Sequence, residues 1–462
     1  MRPARGVREL PGAPREDVSG ALAPAAPGPH LRAQCHVPKP ESPLSQAVVA
    51  SLRPCSTHCR DRPVKFQWKE GNQAELLING SQYFPDVFEA IRSARREILI
   101  ETFIIFDDEV GQALKEALLE AAAREVRIEV TVDGYGTADL GDEYIAELTE
   151  AGVNMHIYDP RPRRLGVRTN LFRRLHRKIV VVDGEVAYIS GINFGWDHLP
   201  EKYTMGKQDY GVRVRGPIVE DIRRAATALL LEHQAVEGLP QTLVETSPDG
   251  QAAMHLAIRD NDQHRTDIED HYLEAIRTAR TRLMIANAYF FPSYHLWREL
   301  RNASRRGVEV ILILQGRPDM PWARMFSSSL YSYLLKDGIR IYEYKEHPLH
   351  GKIAIADDDW ATVGSSNLDP LSLSLNLEAN LFIRDTGLNR QIHEHLTELI
   401  ENSCRLITPE AAEKGRWWRA PLMFVSFHFL RHFPLSAGWS PGHTPRLEPL
   451  TPKQRPGQRA LD

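Results

Sequence analysis

The chain has 462 residues, more than one core usually holds, and 42% of them are apolar, so two or more globular domains are expected. Its formal charge of −4 excludes a global attraction to nucleic acid or anionic lipid and leaves such contacts to local patches. The cysteines, Cys35, Cys55, Cys59 and Cys404, are too few and scattered for a disulfide scaffold and suit a reducing compartment.

Cys55 and Cys59 with His58 between them resemble half a zinc site, but no second ligand pair at metal spacing follows, and loop cysteines are the plainer reading. No metal or other cofactor is expected. No apolar run reaches the roughly eighteen residues of a spanning helix, and the basic N-terminus MRPARGVRELPGAPRED lacks an apolar h-region. By default this places the chain on the cytoplasmic side of a membrane.

Residues 1–62 are rich in Pro, Ala, Arg and Gly without helical or strand period, and read as a disordered N-terminal extension. Order begins near Phe66. Val87, Phe88, Ile91 and Ala94 have helical spacing over 85–96, and ILIETFIIF then supplies a buried strand. VGQALKEALLEAAARE is an amphipathic helix and VRIEVTVDGYG a strand ended by glycines; a helix over 142–151 and the strand VNMHIYD follow. This alternation predicts a layered α/β domain with much of its sheet parallel.

The order then repeats. AIRSARREILI at 90–100 answers to AIRTARTRLMI at 275–285, REVRIEVTVDG at 124–134 to RGVEVILILQG at 306–316, and AGVNMHIYD at 151–159 to DGIRIYEYK at 337–345. So long a unit means two fused homologous domains, not a solenoid, with boundaries at 63–240 and 241–410. Before its motif the first half inserts PRPRRLGVRTNLFRRL, carrying Arg161, Arg163, Arg164, Arg168, Arg173 and Arg174. This is either a solvated loop or a patch that attracts phosphate groups or an anionic surface.

Each half ends in HxKxxxxD: His176, Lys178 and Asp183, then His350, Lys352 and Asp357, the candidate catalytic motifs, with Asn193 and Asn367 each ten residues past its Asp. The apolar IVVV and IAIA runs make each motif a buried strand, on which His and Lys, two apart, project together. A lone histidine there is commonly a core residue; a second copy with the same Lys and Asn argues for a site. Asp183 and Asp357 end their strands before a turn, which suits bonding to nearby backbone or hydroxyls better than carrying protons.

Paired His, Lys and Asn suit a phosphate ester. One imidazole attacks phosphorus while the other protonates the leaving oxygen, and Lys178, Lys352, Asn193 and Asn367 donate to the nonbridging oxygens. Each imidazole needs a partner to fix its tautomer, and the acidic candidates are Asp209 in KQDYGVRV and Glu378 in LNLEANLFI.

A helix over 387–402 precedes GRWWRAPLMFVSFHFLRHFPLSAGW, where Trp417, Trp418, Phe424 and Phe427 alternate with arginines. The segment 411–462 therefore reads as an interfacial membrane-associating stretch with a disordered tail, the alternative being a helix docked on the core.

The doubled HxKxxxxD resembles the phospholipase D superfamily, and ETFIIFDDEVG, VDGYG, NLFRRLHRKIVVVDG, KQDY, HGK, VGSSNLDPLSLSLNLEAN and the WWR…FHFLRHFP tail resemble the bacterial cardiolipin synthases, most of all the B type. The likeness runs from about Trp68 to about Arg446; Ser190, where the first copy often has Gly, is the departure. The resemblance implies two phospholipase D-like α-β-α sandwich domains with mixed, largely parallel sheets packed pseudo-symmetrically around one shared site. It implies His176 as nucleophile, His350 as general acid and then base, and Asp209 and Glu378 as orienting groups.

The implied reaction is phosphatidyl transfer to phosphatidylglycerol, releasing glycerol or ethanolamine. The implied partners are phosphatidylglycerol, phosphatidylethanolamine and an anionic membrane surface, met by Arg164, Arg168, Arg173 and the aromatic tail; no nucleic acid is expected. A phospholipase D or headgroup-exchange enzyme, a nuclease and a non-catalytic membrane-binding protein are the alternatives.

Overall fold

A computed structural model describes residues 66–160, 173–233, 250–317, 321–413 and 445–452. The N-terminal extension, Arg161, Arg163, Arg164 and Arg168, and the aromatic segment with Trp417, Trp418, Phe424 and Phe427 lie outside the described residues.

The first half runs β1 (Lys69–Ile78), α1 (Asn79–Ser93), β2 (Glu97–Thr102), α2 (Glu109–Ala122), β3 (Arg127–Asp133), α3 (Asp142–Glu150), β4 (Asn154–Tyr158), β5 (Ile179–Val182), β6 (Val186–Ser190), β7 (Tyr210–Arg215) and α4 (Ile218–Glu232). The second half repeats it as β8 (Ala252–Arg259), α5 (Asp267–Thr278), β9 (Arg282–Asn287), α6 (Tyr294–Arg305), β10 (Glu309–Gln315), α7 (Pro321–Lys336), β11 (Arg340–Tyr344), β12 (Lys352–Ala356), β13 (Trp360–Gly364), α8 (Pro370–Ser374), β14 (Glu378–Arg384) and α9 (Thr386–Ser403). β15 (Cys404–Leu406), α10 (Pro409–Glu413) and β16 (Leu447–Pro449) complete the described elements. Local chemistry sets the helix starts: Asp108 caps α2 through Val110 N and Gly111 N, and Asp385 caps α9 through Leu388 N.

The strands form one continuous sheet, β15-β11-β10-β9-β12-β13-β14-β8-β1-β7-β6-β5-β2-β3-β4-β16, whose two ends mirror one another about the antiparallel β1–β8 pair. Asn72 stitches that seam: buried, it donates to Ala252 O and accepts from Ile218 N. Among the described strands, parallel pairing is confined to β2-β3-β4 and β9-β10-β11, so the sheet is mixed with mostly antiparallel neighbours, which corrects the expectation of largely parallel sheets. Those neighbouring strands are each joined by a helix that makes the crossover, whereas β5–β6 and β12–β13 turn back within a few residues and must be antiparallel.

Three apolar layers follow. One face of the first half packs on α1, α2 and α3, and one face of the second on α5, α6 and α7. The inner faces of both halves share a single core with α4 and α9, in which Ile179 and Val181 of β5 join Ile353 and Ile355 of β12. The two motif strands are thus fixed relative to each other by common apolar packing.

Candidate active site

Each motif histidine precedes its strand on an extended segment that bonds to the other half. His176 N donates to Leu377 O and Leu377 N to Arg174 O, so the residue before Glu378 is clamped beside His176. Correspondingly, Gln208 N donates to Pro348 O and His350 N to Gln208 O, which clamps the residue before Asp209 beside His350. Leu175 and Leu377 also pack with Tyr158, Leu229 and Leu447 of β16, so the first clamp rests on an apolar base.

These clamps cross the carboxylates over. His176 Nδ1 is 3.0 Å from Glu378 Oε2, and His350 Nδ1 is 2.6 Å from Asp209 Oδ2. A carboxylate only accepts, so each Nδ1 carries the hydrogen and each Nε2 keeps its lone pair. Ser365 Oγ donates to Glu378 Oε2 at 2.5 Å and holds that carboxylate in place. In the other half Gly191 stands where Ser365 does, and a Cβ there would come within 2.3 Å of Asp209 Oδ1.

Lys178 and Lys352 are buried and point the same way as their histidines; each Nζ donates to the carbonyl of its own motif histidine. Burial holds the His176 imidazole down to about 4, against the pull of Glu378, and pushes Lys178 down to about 7. His350 is also driven well below the usual imidazole value, by burial and then by Lys352. Glu378 is buried too, yet the neighbouring His176 and Lys178 outweigh burial and hold it ionised. Asn193 and Asn367 are buried, and among the described residues the Oδ1 of each has no hydrogen-bond partner. Phe103 forms a wall, its ring 5.2 Å from His176 and 5.3 Å from Lys178 Nζ.

His198, which the repeat does not reveal, completes the site. It is buried, its Nε2 accepts from Asn193 N at 3.2 Å, and its Nδ1 lies 3.4 Å from Asp209 Oδ2. His198, Asp209 and His350 bring three potential ligand atoms within 4.8 Å of one another. Hydrogen bonding accounts for that proximity, since Asp209 Oδ2 is the acceptor for His350 and His198 Nε2 is occupied by Asn193 N.

The family model described as "Cardiolipin synthase, PLD-like domain" matches residues 87–214 and again 272–400, one match around each motif. The chain belongs to that family. Cardiolipin synthase B of Salmonella typhi is 49% identical over 411 residues, covering 86% of this chain and 97% of that protein. The Escherichia coli K12 protein of the same name is 49% identical over 409 residues, with 86% and 97% covered. Cardiolipin synthase A of Pseudomonas putida KT2440 is 35% identical over 342 residues, 73% and 70% of the two chains. The fold is shared with the crystal structure of phosphatidylserine synthase from Haemophilus influenzae Rd KW20, at TM-score 0.57 and 16% identity over 79% of this chain and 96% of that one.

In this member of the cardiolipin synthase family the motif aspartates stand apart from the imidazoles, at the far ends of the motif strands. Asp183 has φ 55° and accepts from Arg95 N, Arg96 N and Glu97 N; Asp357 has φ 49° and accepts from the backbone of Arg280, Thr281 and Arg282 and from Thr281 Oγ1. They lock each motif hairpin to the head of β2 or β9, in keeping with their place before a turn. Asp183→Asn is expected to lower stability by about 1–3 kcal/mol, because it weakens three charge-assisted bonds. Its kcat per folded molecule should stay within about twofold. Denaturant unfolding beside active-site-normalised rates checks both. Ser190 is accommodated, buried with its hydroxyl accepting from Ile192 N.

Proposed function

We propose that this chain is a cardiolipin synthase that works through a phosphatidyl-histidine intermediate. It is an enzyme, a phosphatidyltransferase of the phospholipase D superfamily. The observation that carries the mechanism is the crossed pairing of His176 with Glu378 and of His350 with Asp209, which builds one site from two halves.

Nε2 of His176 attacks phosphorus of the donor phospholipid; the bond to the leaving oxygen breaks, and His350 gives that oxygen its proton. A hydroxyl of phosphatidylglycerol then attacks phosphorus, its proton passes to His350, and the P–N electron pair returns to His176. Lys178, Lys352 and the amide nitrogens of Asn193 and Asn367 donate to the nonbridging oxygens, where a dry site makes such donors strong. Glu378 and Asp209 keep both Nδ1 atoms protonated, and His198 holds the Asn193 backbone. Phosphatidylglycerol accepts, and phosphatidylglycerol or phosphatidylethanolamine donates.

Among the described residues no helix is long and apolar enough to cross a membrane. The reading is a peripheral enzyme on the cytoplasmic face of the bacterial cell membrane, with the arginine insertion and the aromatic segment as contacts. The deciding experiment presents the full chain with labelled phosphatidylglycerol vesicles, with and without phosphatidylethanolamine. Cardiolipin is expected; phosphatidic acid as sole product would make the protein a phospholipase D instead.

The depressed pKa values set the pH behaviour. In the free protein His350 loses its proton below the usual imidazole value, so raising pH removes the general acid, and deprotonation of Lys178 near 7 removes a phosphate donor. Hence kcat/KM should fall as pH rises from about 6 to about 8. A bound phosphodiester anion raises both values, so kcat should fall at higher pH than kcat/KM. A pH–rate profile in which kcat/KM climbs across that interval contradicts this assignment.

A further inference from the structure

The symmetric part of the site supplies donors for one phosphate, yet an acceptor such as phosphatidylglycerol brings a second. Among the described residues the first half carries a further cation, Arg174, at a position where the second half has Pro348. The guanidinium of Arg174 lies 4.0 Å from the ring centroid of Tyr135 and 5.7 Å from that of Phe103. Phe103 is also the ring that His176 meets edge-on at 5.2 Å. The backbone of Arg174 is fixed in the clamp, since its carbonyl accepts from Leu377 N. Two aromatic faces and a fixed main chain therefore orient this guanidinium at the ring that His176 also meets.

The repeat shows how one-sided this is. The positions answering to Phe103, Tyr135 and Arg174 are Ala288, Arg317 and Pro348. Arg317 donates instead to Glu346 O. In the first half the carboxylate of Asp133 accepts from Tyr135 N, Gly136 N and Leu175 N. Asp133 thus fixes the loop that carries the Tyr135 ring and the strand that carries Arg174.

We propose that Arg174, held against Tyr135 and Phe103, binds the phosphate of the acceptor phospholipid while the donor phosphate sits on His176. This rests on the phosphatidyltransferase reading and adds the acceptor subsite to it. In the product one glycerol joins the two phosphates, a span of about 6–8 Å at ordinary bond lengths. Arg174 and His176, at 5.7 Å and 5.2 Å from the centroid of the Phe103 ring, are the groups proposed to hold the two ends of that bridge. In the transfer step the free hydroxyl of the held acceptor attacks phosphorus, the P–N bond breaks, its electron pair returns to His176, and the hydroxyl proton goes to His350. Holding the acceptor by its own phosphate favours a lipid alcohol over water and over alcohols that carry no phosphate.

The test is a partition measured inside one reaction. The full chain acts on phosphatidylglycerol vesicles in the presence of labelled glycerol, an acceptor without phosphate. Transfer to glycerol gives labelled phosphatidylglycerol, and transfer to phosphatidylglycerol gives cardiolipin. In Arg174→Gln the ratio of cardiolipin to labelled phosphatidylglycerol is expected to fall at least about tenfold. Arg174→Lys, which keeps the charge, should retain at least about a third of the ratio. A proportional fall in both products, or an unchanged ratio, overturns the subsite.

Should Arg174→Gln fail to fold, Tyr135→Leu decides, because it removes a supporting ring and leaves the charge. Its ratio is expected to drop at least about threefold, and an unchanged ratio there overturns the subsite as well. A wild-type chain that releases phosphatidic acid and forms neither transfer product refutes the phosphatidyltransferase reading and the subsite with it. Active wild type with an unaltered partition in the variants refutes the subsite alone.

Discussion

Replacing His176 by Ala is expected to lower phosphatidyl transfer from a natural phospholipid by on the order of 10⁴-fold or more, with the fold intact, because in the proposed mechanism His176 carries the covalent intermediate. In the variant the buried Glu378 carboxylate keeps Ser365 Oγ and the Lys178 charge as partners, so the protein is expected to remain folded. His350→Ala is nearly as damaging on the same donor, since it removes the proton for the leaving oxygen. A phosphodiester donor with p-nitrophenolate as leaving group separates the two. That group departs without a proton, so His350→Ala recovers the first step and accumulates a phosphatidyl-protein adduct that mass spectrometry detects. His176→Ala stays inactive and forms no adduct. Adduct on His350 in the His176→Ala protein would reverse the roles of the two imidazoles.

The motif was legible in the sequence because it occurs twice. Repetition separates His176 and His350 from ordinary core histidines, and the IVVV and IAIA runs state the strands that carry them. The place of Asp183 and Asp357 before turns already suggested bonds to backbone. His198 was not legible for the complementary reason: its counterpart in the second half is Ser372, so the repeat that revealed the other residues concealed this one. The excess of antiparallel pairing was also hidden, since helix–strand alternation governs β2-β3-β4 and β9-β10-β11 and says nothing of the hairpins beside them. Neither does any local pattern announce that β1 meets β8; that contact depends on how two similar halves pack.

The same packing decides which carboxylate serves which imidazole, and here chain order misleads. Asp209 follows the first motif and Glu378 the second, so proximity in sequence would join Asp209 to His176 and Glu378 to His350. In space Glu378 Oε2 accepts from His176, 202 residues away, and Asp209 Oδ2 from His350, 141 residues away. Kinetics can tell these pairings apart. Glu378→Gln removes the charge that holds the nucleophile in its Nδ1–H form, and should cost about 10²–10⁴-fold in transfer, with adduct formation slowed even from the p-nitrophenyl donor. Asp209→Asn should lower transfer from a natural phospholipid by a similar factor and be largely relieved on the p-nitrophenyl donor, because it weakens only the imidazole that supplies the proton. Glu378→Gln therefore behaves as a mild His176→Ala, and Asp209→Asn as a mild His350→Ala. The reverse assignment, with relief by the activated donor in Glu378→Gln and none in Asp209→Asn, would contradict the crossed geometry and return each carboxylate to its own half.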